Sequence, residues 1–280
     1  MQTTNPANSA RAPIGAGSAA VPRVVLLSKP HPLTHHLEAR LAEKGCLVGV
    51  VYEARLTTLP ERLRYMQKLA RRQGLLQTLD IAAYDLFERA FRRGELRSVV
   101  RRLLPALPAP DVPRHSVRSL NHESARQLIR DLDPDILVVH GAGILKRETF
   151  ELARRVAINV HCGVLPEYRG HASTFWAIYR RDFENVGVTV HEIAQIVDTG
   201  SILRLGRVKW QPGETDITMW FRAFMLGTEL VLDVVDELMN QDSITRIEVD
   251  GEPGPHYPRK GLTHYIKLKL GRGRSRSPRS

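Results

Sequence analysis

Residues 24–51 read VVLLSKPHPLTHHLEARLAEKGCLVGVV, and this stretch decides the fold. Residues 24–27 and 47–51 are short apolar runs typical of buried strands. Between them the spacing predicts a helix from about Thr34 to Lys44, closed by Gly45. Two such strands joined by a helix favour a parallel sheet covered by helices. The sequence therefore predicts an α/β fold.

The same alternation continues toward the C-terminus. Asn121 is expected to cap a helix over residues 122–132, and a long amphipathic helix is expected over residues 217–238. A further helix is predicted at 146–154. Further strands are predicted at 135–139, around Ile158, at 187–191, at 202–205 and at 244–249. Open parallel sheets bind ligands at the carboxyl ends of their strands, so the segments after 139 and 161 are candidate site segments.

Residues 55–102 interrupt this alternation. Two amphipathic stretches separated by Gly74 predict an inserted helical hairpin. Pro60 is suited to the first turn of the first helix. The insertion carries twelve Lys or Arg and five Asp or Glu, and residues 271–280 carry four Arg. These two segments account for the whole net charge of +11, so any polyanion would meet them first. A solvated basic surface and a docking surface for a nucleotide or an acidic membrane both stay open.

Composition limits the class of protein. Cys46 and Cys162 lack the spacing of a disulfide framework or a metal site, which fits a reducing cytoplasm. No apolar run reaches the roughly 18 residues that a membrane span needs. We expect a disordered leader over 1–22, one catalytic domain over 23–240, an extension over 241–270 and a disordered basic tail over 271–280.

Polar side chains end the strand around Ile158. Asn159 and His161 are two residues apart, so in an extended strand both side chains leave the same face. A buried amide and imidazole without partners would cost about 1–3 kcal/mol each, and a binding site explains the pair better than a core does.

Five motifs give this site a family resemblance. In order, they are Asn159-Val160-His161, Leu165-Pro166-x-Tyr168-Arg169-Gly170, Trp176-Ala177-Ile178, Gly187-Val188-Thr189-Val190-His191 and Asp198-Thr199-Gly200. Together they resemble the formyltransferases that use 10-formyltetrahydrofolate. The resemblance implies a Rossmann-like, mostly parallel open sheet with helices on both faces. It also implies that Asn159, His161 and Asp198 are the catalytic residues.

The chemistry of formyl transfer agrees with these three residues. An amine attacks the formyl carbon, whose oxygen becomes negative while the amine must lose a proton. A protonated His161 and the Asn159 amide are expected to donate to that oxygen. Asp198 is expected to hold the imidazolium and to help draw off the proton.

The resemblance also implies where the folate donor binds. In the family, backbone groups after one central strand and before the catalytic Asp bind the pterin ring. Carried over to this chain, these are Gly141, Ala142, Gly143, Ile144, Leu145, Ile196 and Val197. Glycines at such positions allow close approach of a flat ring.

Three neighbouring residues receive other interpretations. His191 is expected to be structural, and Arg169 is expected to brace its loop. Cys162 follows His161 directly, so strand alternation turns it to the opposite face and away from catalysis.

The acceptor amine stays open. Methionyl-tRNA enzymes of this family carry a large C-terminal barrel, whereas 42 residues follow Leu238 here. The insertion has no counterpart in the compact glycinamide ribonucleotide enzyme. We therefore expect a small biosynthetic amine, such as an amino sugar. The alternatives are a methionyl-tRNA or glycinamide ribonucleotide formyltransferase, or a non-catalytic module that binds RNA or membranes on the same fold. The eleven histidines form no metal motif, so no metal is expected.

Overall fold

A computed structural model describes residues 21–54, 58–211, 213–249 and 253–271. Residues 1–20 of the expected leader and 272–280 of the expected tail lie outside these ranges. Within them, no helix is long and apolar enough to cross a membrane.

A twisted sheet forms the centre of the molecule. Its strands are β1 (Val24–Ser28), β2 (Leu47–Glu53), β3 (Arg114–Val117), β4 (Ile136–His140), β5 (Val156–His161), β7 (Gly187–Glu192) and β8 (Ile202–Arg207). A separate pair consists of β6 (Arg169–Gly170) and β9 (His256–Tyr257).

The order across the main sheet is β3-β2-β1-β4-β5-β7-β8. Strands β3 to β5 run parallel, whereas β7 is antiparallel to both β5 and β8. The predicted mostly parallel sheet is confirmed. The carboxyl ends of β4 and β5 lie side by side, and β5 ends at the boundary where strand direction reverses.

Helices cover both faces of the sheet, as predicted. In chain order they are α1 (Pro32–Glu43), α2 (Leu59–Gln73), α3 (Leu75–Phe87), α4 (Arg93–Leu103), α5 (Glu123–Leu132), α6 (Arg147–Phe150), α7 (Ser173–Tyr179), α8 (Asp216–Asn240) and α9 (Leu262–Lys269). The larger core lies between one face and α1, α4, α7 and α8. The smaller core lies between the other face and α5 and α6.

The insertion differs from the predicted hairpin. Helix α2 turns at Gly74 into α3, as expected, but α3 continues through a π-helical turn (Glu88–Arg92) into α4. A π turn adds one residue to the helical repeat and re-aims the side chains around it. Arg92 is turned inward here and is 3% exposed.

Three local predictions are wrong. The helix predicted over 146–154 ends at Phe150, because the amides of Arg154 and Arg155 already bond to the chain before β4. The strand predicted over 244–249 is reduced to one bridge between Ile202 and Ile247. The backbone amide of Thr245 instead donates to the Glu237 side chain, so it does not pair with a neighbouring strand.

The cap of α5 is the third error. The His122 side chain accepts from the amide of Ser124, so His122 and not Asn121 is the cap. The Asn121 amide is engaged elsewhere, since it donates to the Ile144 carbonyl at 2.8 Å and accepts from the Lys146 amide at 2.7 Å. Asn121 thereby fixes the loop that follows β4.

The C-terminal segment connects distant parts of the molecule. Strand β9 pairs with β6 beside the predicted site, and the amide of Gly254 bonds to the Pro166 carbonyl. Further on, Arg259 pairs with Asp85 of α3, and Thr263 at the start of α9 bonds to Asp80 of α3. The extension therefore spans from the loop after β5 to the insertion.

Candidate active site

Strand β5 carries Asn159 and His161 to the edge of the sheet. Val156, Ile158 and Val160 fill the larger core, so strand alternation turns the two polar side chains to the opposite face. His161 is the last residue of the strand and is 8% exposed. The two side chains share a face, as predicted.

Asp198 approaches this pair from the loop between β7 and β8. Its Oδ2 lies 3.7 Å from His161 Nδ1, and its Oδ1 lies 3.6 Å from His191 Nε2. The amide of Gly170 donates to Asp198 at 2.8 Å. Asp198 has a positive φ of 56°, a left-handed conformation that few residue types adopt readily. The structure therefore brings all three predicted catalytic side chains together.

The Asp198 carboxylate is strongly stabilised in its charged form. Burial alone would raise its pKa, but the adjacent His191 and His161 rings and the Gly170 amide hold the pKa well below its usual range. Asp198 is thus an anion throughout the pH range in which proteins function.

His161 is held through its other nitrogen. Nε2 lies 2.7 Å from the Tyr168 carbonyl and 3.2 Å from Ser173 Oγ. A carbonyl only accepts, so Nε2 carries the hydrogen and Nδ1 presents its lone pair toward Asp198. Ser173 was not singled out from the sequence, because its contact arises only when the loop after β5 folds back.

The protonation state of His161 differs from the expected one. Burial lowers its pKa below the ordinary value of 6.5, and the opposing attraction of Asp198 does not outweigh that effect. At neutral pH the ring is therefore neutral, whereas the donor role expected from the sequence needs a protonated ring.

His191 orients Asn159. Its Nδ1 lies 2.8 Å from the Glu192 carbonyl and so carries a hydrogen, which leaves Nε2 to accept from Asn159 Nδ2 at 3.1 Å. The Asn159 amide keeps a second N–H for another partner. His191 has a structural role, as predicted, but that role lies within the site.

Arg169 braces the loop as expected. It donates to the carbonyls of Val197 at 2.8 Å and Gly254 at 3.3 Å, which ties the Asp198 loop to the C-terminal extension. Cys162 packs against the larger core, where burial raises its thiol pKa to about 12. A thiol with that pKa is protonated at neutral pH and is a poor nucleophile.

The predicted donor-binding segments flank the predicted catalytic side chains. Residues 141–145 leave the end of β4 beside β5, and 196–197 directly precede Asp198. Gly141 has a positive φ of 62° and faces open space, while the Gly143 amide bonds to Glu53. Ile144 and Ile196 are 68% and 66% exposed, so both side chains are accessible. Leu145 is buried in the smaller core, so only its backbone is available.

Two cavities lie near this site. The smaller, about 190 Å³, is lined by Asp198, Leu165, Pro166 and residues 199–202. The larger, about 600 Å³, lies between the insertion, α7 and α8, and its lining includes Ala172 and Thr174 on either side of Ser173. In the described part of the chain, no cluster of three His, Cys, Asp or Glu residues could hold a metal ion.

A buried ion cluster supports the larger cavity. Arg92 contacts Asp216 at 2.7 Å and Glu95 at 2.9 Å, and Lys260 contacts Asp216 at 2.8 Å. Burial would raise the pKa of Asp216, but the charges of Lys260 and Arg92 hold it well below its usual range. The cluster joins the insertion, α8 and the C-terminal extension.

Comparisons with known proteins agree with this geometry. A family model described as "Formyl transferase" matches residues 95–235, half of the 280 residues. A methionyl-tRNA formyltransferase of Chlorobium chlorochromatii is 30% identical over 142 residues, which cover 51% of this chain and 45% of that protein. One from Natranaerobius thermophilus is 32% identical over 144 residues, or 50% and 45% of the two chains. The chain thus spans about half the length of the curated relatives it matches.

Solved structures share the fold. A sugar N-formyltransferase from a Shewanella species has a TM-score of 0.55 at 16% identity, with 89% of this chain and 87% of that chain covered. A phosphoribosylglycinamide formyltransferase from Anaplasma phagocytophilum has a TM-score of 0.52 at 16% identity, with 78% and 87% covered. At this identity the likeness concerns the fold. Because the matching sequence region holds β5, the Asp198 loop and most of α8, the chain belongs to the formyl transferase family.

Proposed function

We propose that this protein transfers a formyl group from 10-formyltetrahydrofolate to a primary amine of a small biosynthetic substrate. One observation carries the proposal: Asp198, His161 and Asn159 converge at the carboxyl edge of the sheet, and His191 links Asn159 to the same carboxylate. The sequence match to the formyl transferase family supports it. Both cysteines are free, which supports a reducing cytoplasm as the compartment.

The donor fits beside the catalytic side chains. When bound, 10-formyltetrahydrofolate supplies the formyl carbon that the amine attacks. The backbone of Gly141, Ala142, Gly143 and Leu145 and the exposed side chains of Ile144 and Ile196 would hold its ring, together with the backbone of Val197. Asn121 and Arg169 hold these two segments in place.

Each catalytic side chain has one role in this proposal. Asn159 donates its free N–H to the formyl oxygen, a bond that strengthens as negative charge develops. His161 takes the amine proton at Nδ1 while the new bond to carbon forms, and Asp198 stabilises the imidazolium. His161 then returns the proton to the folate nitrogen as its bond to carbon breaks.

The test follows release of tetrahydrofolate in a mixture of 10-formyltetrahydrofolate with amino sugars, amino acids and charged tRNA. We expect release with a small amine. Asn159→Ala and His161→Ala should each lower turnover by about 10²–10³. Asn240→Ala, an exposed change at the end of α8, is the control and should leave turnover unchanged. Wild-type turnover in either site variant contradicts the assignment.

Methionyl-tRNA is a second candidate acceptor, because the curated relatives at about 30% identity are named methionyl-tRNA formyltransferases. Release with charged tRNA alone would favour it. If no acceptor supports release while the chain binds RNA with a steep dependence on salt, a non-catalytic module on this fold is favoured instead.

A further inference from the structure

The larger cavity, hereafter the insertion cavity, joins three parts of the chain. The insertion contributes Arg89, Arg93 and Leu96, the start of α7 contributes Ala172 and Thr174, and α8 contributes Trp220. Its volume of about 600 Å³ is within the range of small-molecule sites. Trp220 supplies an apolar wall, and its ring meets His31 edge to face at 5.3 Å.

The charges that line this cavity are of two kinds. Arg92 and Lys260 are already committed to Asp216, and Glu88 accepts from the Tyr84 hydroxyl. Arg89 and Arg93 are exposed, and neither side chain has a hydrogen bond or ion pair with any residue in the described ranges. Two cations one helical turn apart therefore face the cavity with their charge uncompensated.

The start of α7 connects the cavity lining to His161. Ser173, between the lining residues Ala172 and Thr174, lies 3.2 Å from His161 Nε2. The helices around the cavity pack on the larger core, whereas Ala142 and Leu145 of the donor segment pack on the smaller core. The insertion cavity and the donor segment therefore lie on opposite faces of the sheet.

We propose that the insertion cavity binds a phosphate or diphosphate group of the acceptor amine, with Arg89 and Arg93 as its ligands. Guanidinium groups bind phosphate oxygens through paired, charge-assisted hydrogen bonds. The proposal rests on the proposed function, since it names the acceptor as a phosphate-bearing amine. It also gives the basic insertion a defined task.

Inorganic pyrophosphate is the probe, and its affinity is measured by isothermal titration calorimetry. The variants are Arg89→Gln with Arg93→Gln, and a matched control, Arg71→Gln with Arg72→Gln, which removes the same charge from the exposed end of α2. We expect binding about tenfold or more weaker in the cavity variant and unchanged within about twofold in the control. All four arginines are exposed, so melting temperatures should stay at the wild-type value. Equal binding in all three proteins, or equal losses in both variants, overturns the proposal.

A second experiment tests whether the cavity binds the acceptor phosphate or the anionic glutamate tail of the folate. Pyrophosphate is titrated with and without saturating 5-formyltetrahydrofolate, and we expect the same affinity in both. Competition would assign the cavity to the donor and overturn the proposal. If 5-formyltetrahydrofolate does not bind while the arginine variants behave as expected, the proposed function fails and the anion site stands.

Discussion

At the residue scale, tertiary packing sets the environment of the candidate catalytic side chains Asn159 and His161. Asn159 and His161 follow from strand alternation, which depends on local geometry alone. Ser173 and the Tyr168 carbonyl reach His161 only through the fold of the loop after β5. The neutral state of His161 depends on burial, which no local pattern reports. Tertiary packing thus determines how the predicted residues work.

The titration of His161 tests this environment directly. In a ¹⁵N–¹H NMR titration, with His161→Gln to assign the resonances, we expect a midpoint below 6.5 and an Nε2–H tautomer above it. Because the Asp198 charge raises the pKa of His161, Asp198→Asn should lower the midpoint further. A midpoint above 6.5 would show that the Asp198 charge outweighs burial, and an upward shift in Asp198→Asn would show that this charge does not stabilise the imidazolium.

The orienting role of His191 makes a separate prediction. His191→Leu removes the acceptor that holds the Asn159 amide, so kcat should fall about tenfold or more while KM stays close to its wild-type value. His191→Gln, whose side-chain carbonyl also accepts, should recover part of that loss. Steady-state kinetics separate the two constants. A loss confined to KM, or an equal loss in both variants, argues against an orienting role.

At the element scale, long periodic elements are predictable and short ones are not. The strands of the parallel half and α8 follow from their apolar spacing. The π-helical turn and β9 do not, since one extra residue or a two-residue strand leaves no periodic signal. Helix α6 is short because Arg154 and Arg155, which follow it, bond to the chain before β4. The π-helical turn and β9 are thus missed for lack of a periodic signal, whereas the end of α6 is set by long-range backbone hydrogen bonds.

The unfolding free energy tests how much the ion cluster at the π-helical turn stabilises the fold. Asp216→Asn leaves Arg92 buried with Glu95 as its remaining carboxylate partner, which should cost about 3 kcal/mol of unfolding free energy. Asp242→Asn, an exposed change, should cost little. Urea unfolding at pH 7 measures both. A loss below about 1 kcal/mol in Asp216→Asn would show that the cluster does not hold the insertion.

The same pair of proteins predicts a pH dependence. The folded-state pKa of Asp216 lies below its ordinary value of 3.8, so its contribution is complete above that value and is lost as pH falls below it. The stability difference between wild type and Asp216→Asn should therefore be constant from pH 5 to 7 and shrink below about pH 4. A difference that grows on acidification would contradict this linkage.

At the scale of the whole molecule, the C-terminal extension determines how the insertion meets the catalytic strand. It bonds to Pro166 near β6 and then to Asp80 and Asp85 of α3. Sequence patterns located the charge of the insertion, but its placement over α7 and α8 follows from these contacts, which join residues more than 170 positions apart.

Removing contacts between the C-terminal extension and the insertion should increase local opening of the insertion. Arg259→Ala removes the ion pair with Asp85 and the hydrogen bond to Tyr65, so hydrogen exchange in α2 and α3 should speed up several-fold while β1 and β4 keep their protection. Lys267→Ala, an exposed change in α9, is the control. Mass spectrometry of peptic peptides measures hydrogen exchange in both variants. Uniform acceleration across the sheet would indicate global destabilisation instead.

The left-handed backbone at Asp198 also restricts how this site can change by mutation. Asparagine and glycine adopt that conformation readily, but both remove the charge. Glutamate keeps the charge, yet it costs roughly 1–2 kcal/mol at such a φ. Its extra methylene would also have to fit among two histidine rings and the Gly170 amide. No single substitution preserves both the backbone conformation and the charge, so we expect this position to require aspartate for its shape as well as for its acidity.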